Sequence, residues 1–139
     1  MISTVRLLSP NGGEILASGG TTTVAWEASD NAATFKLSLS LDNGVTWKEF
    51  ATIPAPATSY TWTVRLQNAN KTACKLKIAG FTAGNTSAGT DLSDKTFTIE
   101  VLRVTAPTGI VQGGAATSID FTLNSTLTAV GSIQFLYSL

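Results

Sequence analysis

Apolar and polar side chains alternate along most of the chain, and no window keeps the spacing of three to four residues that an amphipathic helix needs. Alternating segments that are rich in β-branched and aromatic residues and bounded by turn residues are typical of half-buried strands. Six segments have this form: TTTVAWEA (21–28), TFKLSLSL (34–41), VTWKEFATI (45–53), SYTWTVRL (59–66), ACKLKIAGF (73–81) and KTFTIEVLRV (95–104). The pattern predicts an all-β chain.

Clusters of Gly, Pro, Asn and Asp separate these segments at the short intervals expected of an antiparallel β-sandwich. The longest such cluster, residues 83–94, is the most loop-like part of the chain. Pro10 ends the first strand segment, and Asn11, Gly12 and Gly13 are predicted to take the positive φ values of a kink. We expect this kink to let the first strand pass from one sheet to the other.

The alternation also predicts which side chains face the core. Trp26 lies on the same side of its segment as Val24, so we expect it between the two sheets. Tyr60 and Trp62 alternate with threonines and share one face. Cys74, in an alternating segment, is predicted to be a small buried residue.

The chain repeats its opening in outline. RLLSPNGG followed by ASGGTTTVAW has its counterpart in RVTAPTG followed by VQGGAATSIDF, so that Phe121 stands where Trp26 stands and Ile119 where Val24 stands. The offset of about 95 residues is the size of one immunoglobulin-like module. We therefore predict one sandwich over residues 1–100 and the first strands of a second copy over residues 101–139.

The second copy is incomplete. SIQFLYSL (132–139) matches FKLSLSL, which places Leu139 where Leu41 stands, one residue before a second LDNG would begin. A sandwich without its last strands leaves apolar faces and strand edges open. We expect either that the chain is a fragment of a longer protein or that a strand from another chain completes the second copy.

Composition removes several classes of function. Nine basic and nine acidic side chains cancel in 139 residues, so no net field attracts nucleic acid. No apolar run approaches the ~20 residues of a membrane helix, so membrane insertion is not expected. The chain has no histidine and one cysteine, which removes the commonest general base and the usual partner of a catalytic thiol. MISTVRLLSP does not have the form of a signal peptide, and we expect the chain to be a piece of something larger.

Four motifs together carry a family resemblance: SPNGGE (9–14), GGTTTVAW (19–26), LSLSLDNGVTW (37–47) and SYTWTV (59–64). They resemble the PNGGE-type repeats of bacterial and archaeal surface proteins. Those repeats are similar to fibronectin type III domains and to the Ser/Thr-rich cell-wall family typified by yeast beta-glucan assembly proteins. The resemblance covers the first hundred residues, whereas PTGIVQGG in the second copy lacks the Asn and the Glu of the motif. It implies an immunoglobulin/fibronectin III-like antiparallel β-sandwich at an extracellular or cell-surface location.

The stretch SLDNGVTW (40–47) is similar to the Asp-box, S-x-D-x-G-x-T-W, of sialidases and other β-propellers. The resemblance implies a turn in which Asp42 accepts hydrogen bonds from the backbone and Trp47 packs beneath, away from any active site. Asn43 and Gly44 tolerate the positive φ of a two-residue hairpin. A propeller needs several blades of about 40 to 50 residues, and this chain has one Asp-box in a repeat of about 95, so a sialidase is not expected.

Two kinds of site stay open as alternatives to plain surface and core residues. Asp91 and Asp94 flank a loop and are the first candidates for a calcium ion, although no twelve-residue calcium loop is present. Trp47, Tyr60, Trp62 and Tyr137 are candidate platforms for carbohydrate stacking, against a packing role for each. Three Asn-x-Ser/Thr sequons are compatible with surface positions in a secreted protein; they lie at Asn70, Asn85 and Asn124.

The carboxylates fall mainly in turns or on outward strand positions, and we expect neither an enzyme nor a cofactor. The first hypothesis is a non-catalytic structural or adhesion module of a larger cell-surface or secreted protein. Its partners would be other domains of the same parent chain or neighbouring subunits. An ancillary carbohydrate-binding module of a secreted hydrolase, with polysaccharide as partner, is the alternative. A second alternative is an extracellular filament subunit assembled by β-strand complementation.

Overall fold

The computed structural model describes residues 4–106, 113, 118–124 and 132–134. Within these residues the chain forms eleven strands and no helix, and hence no helix that could cross a membrane. The strands are β1 (Val5–Ser9), β2 (Ile15–Ala17), β3 (Thr21–Ala28), β4 (Thr34–Ser40), β5 (Lys48–Pro54), β6 (Ser59–Thr63), β7 (Lys71–Phe81), β8 (Ser87–Leu92), β9 (Phe97–Glu100), β10 (Leu102–Ala106) and β11 (Asp120–Leu123). The predicted all-β class is confirmed.

The first nine strands form two sheets. One has the order β1-β3-β6, and the other has the order β2-β9-β7-β4-β5 with β8 also paired to β7. The pairs are antiparallel except for β2 and β9, which are parallel. Aromatic rings from both sheets meet in the interior, where the centroids of Trp26 on β3 and Phe35 on β4 lie 5.3 Å apart. This arrangement is the predicted β-sandwich.

The core positions follow the alternation of the sequence. Trp26 is 1% exposed, and Val24 and Cys74 are fully buried, as predicted. A buried aromatic pair of this kind contributes more than its area alone, since the rings also attract through their quadrupoles. The Trp26 indole N–H is buried and has no hydrogen-bond partner among the described residues.

The first strand changes sheets where the sequence predicts it. β1 pairs with β3, and β2, after the kink, pairs with β9. Gly12 and Gly13 have φ values of 136° and 84°, but Asn11 does not take a positive φ. Its side chain acts instead: Asn11 Nδ2 donates to Asp94 Oδ2 (2.8 Å), and the Asp94 N–H donates to Asn11 Oδ1 (2.9 Å). These hydrogen bonds join the kink after β1 to the segment between β8 and β9, 83 positions away in the sequence.

Residues 83–94 are not a loop, contrary to the sequence-based expectation, because they contain β8. Small residues concealed the strand, and the packing explains them. A Cβ at Gly89 would lie 2.8 Å from the backbone nitrogen of Val5, so β8 and the start of β1 pass too closely for a side chain. β1 and β8 are also joined by a hydrogen bond from the Leu7 N–H to Asp91 Oδ2 (2.8 Å).

On the other side of the sandwich, β5 and β6 are the edge strands of their sheets. An aromatic ring from β5 packs between them. The pairing of β4 with β5 shifts register, since Leu37 faces Ala51 and Ser38 faces Glu49. Phe50 is the extra residue of this bulge, and bulges commonly re-aim a side chain. Its ring stacks on that of Trp62 in β6, with centroids 4.9 Å apart.

β10 and β11 pair in the register of β1 and β3. The pairs Leu7–Trp26 and Ser9–Ala25 correspond to Val104–Phe121 and Ala106–Asp120. In both strand pairs the ladder shifts by one residue at the same place. The sequence-based match of residues 135–139 to the end of β4 lies outside the described residues.

A hydrogen bond beside the β1–β3 pair also has a counterpart beside the β10–β11 pair. The Ser29 N–H donates to the Thr4 carbonyl (2.9 Å), and the Asn124 N–H donates to the Val101 carbonyl (2.6 Å). Each joins the residue that follows the later strand to the residue that precedes the earlier one. The likeness of the two strand pairs thus extends beyond the ladder to the contact that closes it.

Candidate functional site

The turn between β4 and β5 is built around Asp42. The Thr46 N–H donates to Asp42 Oδ1 (2.8 Å) and the Thr46 hydroxyl to Oδ2 (2.6 Å). Ser40 Oγ donates to Asp42 Oδ1 (2.7 Å) and accepts the Gly44 N–H (2.8 Å). Asn43 and Gly44 have φ values of 57° and 87°. The connection runs from residue 41 to residue 47, so the predicted two-residue hairpin is wrong: the side-chain hydrogen bonds stabilise a longer turn.

These hydrogen bonds determine the ionisation of Asp42. Those from the Thr46 hydroxyl and backbone, and then that from Ser40, lower the pKa of Asp42 from 3.8 to about 2. Each donor stabilises the charged form of the carboxylate. Asp42 is therefore fully ionised at neutral pH and holds no proton for a general acid.

Trp47 packs against the outer face of the larger sheet. Lys77 Nζ lies 4.7 Å from the centroid of its ring, within the range of a cation–π contact. A Cβ at Gly44 would lie 3.4 Å from Trp47 Cζ2, so the turn rests on the ring. The half-buried ring holds the turn to the strands beside it.

Three of the four candidate carbohydrate platforms lie in the part of the chain that the structure describes, and they do not come together; Tyr137 lies outside the described residues. Trp47 lies on the outside of one sheet, whereas Tyr60 and Trp62 lie on the inner face of the other. Trp62 is 4% exposed and is stacked on Phe50, so no ring face is open to a sugar from solvent. Tyr60 is half-buried, and its centroid lies 6.4 Å from that of Phe50. A continuous stacking platform is not formed by these residues.

The two calcium candidates, Asp91 and Asp94, each accept a hydrogen bond from another residue of the domain. Asp91 accepts the Leu7 N–H, and Asp94 accepts Asn11 Nδ2. In the part of the chain that the structure describes, no group of three or more acidic, His or Cys side chains is arranged to hold a metal ion. The visible role of the two aspartates is to fasten the first strand segment to residues 91–94.

A cleft lies at the end of the sandwich where β5 begins and β6 ends. It has a volume of about 330 Å³ and opens beside a smaller hollow of about 90 Å³. Both are lined by Leu39, Lys48 and Arg65, and the smaller one also by Phe50 and Trp62. The cleft thus has an apolar floor between two exposed cations.

Neither cation has an ion-pair partner among the described residues, where the salt bridges are Lys36–Glu49 and Glu100–Arg103. Sequence reasoning missed this cleft. Lys48 begins β5 and Arg65 follows the end of β6, 17 positions later in the chain, and only the tertiary fold brings them together.

A second cavity, of about 410 Å³, lies between residues 68–70 and Val101 and Leu102. It adjoins the place where β9 gives way to β10. The side chain of Asn70 lies across it, with hydrogen bonds to both Val101 and Leu102. This junction is the part of the domain that faces the following strands.

A family model described as "Bacterial Ig domain" matches residues 4–101, the span of β1 to β9. The chain belongs to the bacterial Ig domain family. The match confirms the predicted immunoglobulin-like sandwich. The PNGGE-type and Asp-box resemblances are finer than this match and stay predictions.

Solved structures with a similar fold include the fibronectin(III)-like modules of CbhA from Clostridium thermocellum, at 14% identity and a TM-score of 0.45, covering 67% of this chain and 93% of that one. An Fn3-like protein from the same organism is 17% identical, with a TM-score of 0.44, and the coverage is 68% and 86%. No match was found among curated proteins.

Proposed function

We propose that this bacterial Ig domain is a non-catalytic structural or adhesion module, arranged in tandem with further copies in a larger cell-surface or secreted protein. The observation that carries the proposal is the register of β10 and β11. They follow β9 directly and pair, with the same bulge, as β1 and β3 do. A second copy of the domain that begins at Leu102 accounts for this likeness.

The path of the chain suits a spacer. Thr4 lies beside Ser29, after the end of β3, whereas Glu100 accepts the N–H of Ser18, just before β3 begins. The chain thus enters at one end of the sandwich and leaves at the other. β3 has eight residues, which at about 3.4 Å each span about 27 Å. Each copy in a tandem array would therefore add its full length to the reach of the protein.

Protease treatment of intact source cells tests the location. Peptides from residues 4–101 should be released before lysis, and a cytoplasmic marker protein should stay intact in the same sample. Release only after lysis would contradict a surface or secreted module. The culture supernatant is assayed in parallel, because a secreted parent protein would appear there.

The cleft favours polysaccharide binding as a second candidate function. Lys48 and Arg65 can bind carboxylates, and the apolar floor of Leu39 and its neighbours suits the C–H face of a sugar ring. We expect an acidic polysaccharide such as polygalacturonate to bind better than neutral cellulose. Affinity electrophoresis with the Lys48→Ala/Arg65→Ala variant tests this, and Lys95→Ala, an exposed cation away from the cleft, is the control. Equal retardation of the variant and the wild type would count against the cleft.

A further inference from the structure

Only one residue separates the last strand of the Ig domain from the next strand. β9 ends at Glu100, β10 begins at Leu102, and Val101 between them is 1% exposed. A single buried residue gives little length for a hinge. Whether the two units move independently then depends on the contacts that this residue and its neighbours make.

Asn70, in the connection before β7, makes three hydrogen bonds to the backbone at this point. Its Oδ1 accepts the N–H groups of Val101 (2.7 Å) and Leu102 (2.9 Å). Its Nδ2 donates to the Leu102 carbonyl (2.9 Å). One side chain of the Ig domain therefore binds the junction residue and both polar backbone groups of the first residue of β10.

The following strands bind back to the domain. Asn124, after β11, donates its N–H to the Val101 carbonyl (2.6 Å) and its Nδ2 to the Glu100 carbonyl (3.3 Å). Arg103 Nε and Nη2 both donate to Glu100 Oε2 (3.1 and 2.9 Å). The contacts thus cross the junction in both directions and surround Val101.

We propose that the surface formed by Asn70, Glu100 and Val101 is the docking surface for the following Ig copy, with Asn70 as the positioning residue that fixes the orientation of that copy. The partner is the unit that begins at Leu102, so the inference rests on the proposed tandem arrangement. Its consequence is a stiff array, in which each copy is held at a set angle rather than swinging on its linker.

The test uses the full chain and three variants. Asn70→Ala removes all three hydrogen bonds, whereas Asn70→Asp keeps an acceptor for Val101 and Leu102 but loses the donor to the Leu102 carbonyl. Asn68→Ala is the matched control, because Asn68 lines the same cavity and makes no side-chain hydrogen bond to the described residues. Amide hydrogen exchange and ¹⁵N relaxation are measured for each protein.

In Asn70→Ala, exchange of the Val101 and Leu102 amides should rise about ten-fold or more, since both lose their acceptor. Relaxation should also show added motion of β10 and β11 relative to the Ig domain. Asn70→Asp should keep the two amides protected, and Asn68→Ala should behave as wild type. Unchanged amides within β3 and β7 show that the domain itself stays folded.

Two outcomes overturn the inference in different ways. If Asn70→Ala leaves the Val101 and Leu102 amides and the relaxation of β10 and β11 as in wild type, Asn70 does not fix the following unit, and the tandem arrangement is untouched. If β10 and β11 show no protected amides in the wild type, no second copy is formed, and the proposed arrangement fails together with its docking surface.

Discussion

Replacing Ser93 by alanine should destabilise the domain far more than its single missing oxygen suggests. β7 pairs with β8 from Lys77 onward and with β9 up to Cys74, so its ladder is interrupted at Leu76. Ser93, where the chain passes from β8 towards β9, fills this gap. Its N–H donates to the Leu76 carbonyl (2.9 Å) and its Oγ accepts the Leu76 N–H (2.9 Å).

The Ser93 hydroxyl has a second partner, because it donates to the Pro10 carbonyl at the kink after β1 (3.0 Å). Ser93 is 2% exposed, Leu76 is fully buried and Pro10 is buried. In Ser93→Ala the Leu76 N–H and the Pro10 carbonyl lose this partner without gaining water. An unsatisfied buried polar group costs about 1–3 kcal/mol, so the two together should cost about 2–6 kcal/mol.

This loss is large against the ~5–15 kcal/mol that stabilises a typical domain. At about 4–8 °C per kcal/mol for a domain of up to about 100 residues, we expect Tm to fall by at least about 8 °C. Urea denaturation followed by tryptophan fluorescence gives the free energy of unfolding, and the m-value shows whether the variant still unfolds in two states.

Ser87→Ala is the control, because it removes the same atom from an exposed strand residue whose hydroxyl accepts the Gly89 N–H at 3.3 Å. It should change the free energy of unfolding by no more than about 0.5 kcal/mol, as expected for a surface substitution. If Ser93→Ala falls within that same range, the two buried backbone groups are not what Ser93 stabilises, and the reasoning is refuted.

Three further predictions concern single positions. Gly12→Ala should lower the urea midpoint more than Gly13→Ala. Both glycines have positive φ, but only a Cβ at Gly12 would clash, at 2.5 Å from Lys95 Cβ. Equal falls in the urea midpoint would contradict a destabilising effect of this clash. The pKa of Asp42 in the folded protein is about 2 against 3.8, so its stabilising contribution is complete above about pH 4 and is lost as the pH falls towards 2. An NMR titration of the carboxyl carbon checks this value, and a midpoint near 3.8 would contradict it. Burial raises the pKa of the Cys74 thiol, so a thiol reagent at pH 8 should react only after denaturant is added; rapid labelling of the native protein would contradict the buried position.

Alternation predicted those elements whose two faces differ in polarity. β3 has the bounds of its alternating segment, and β6 begins where its segment begins. The alternation does not predict β8, because this strand has small residues where β1 approaches Gly89. It does not predict β2, because three residues are too short for a pattern. The residue types of a strand reflect its surroundings in the fold, and these surroundings form only when strands that are distant in the sequence meet.

The candidate sites that could be predicted from the sequence are likewise those whose residues lie close together in the chain. The turn at Asp42 could be anticipated because its donors and acceptors lie within seven residues of sequence, from Ser40 to Thr46. The cleft brings together Lys48 and Arg65, which are 17 positions apart, and the hydrogen bonds of Asn70 reach across 31 and 32 positions. In the sequence, Asn70 stands out only as part of a sequon, and this pattern does not indicate which backbone groups its side chain binds.

The two strand pairs also explain why the proposed repeat is faint in sequence. From Ser9 to its partner position at Ala25 the chain is two residues longer than from Ala106 to Asp120. In the first copy Glu14 accepts the N–H groups of Asn11 (2.7 Å) and Gly12 (2.8 Å).

PTGIVQGG, the counterpart of this turn in the proposed second copy, contains no Glu. β10 and β11 nevertheless keep the register of β1 and β3. In a strand pair with one buried face, a slip by one residue would turn every core side chain to the other face. Register is therefore the property that a tandem copy must keep, and turn sequence is free to vary between copies.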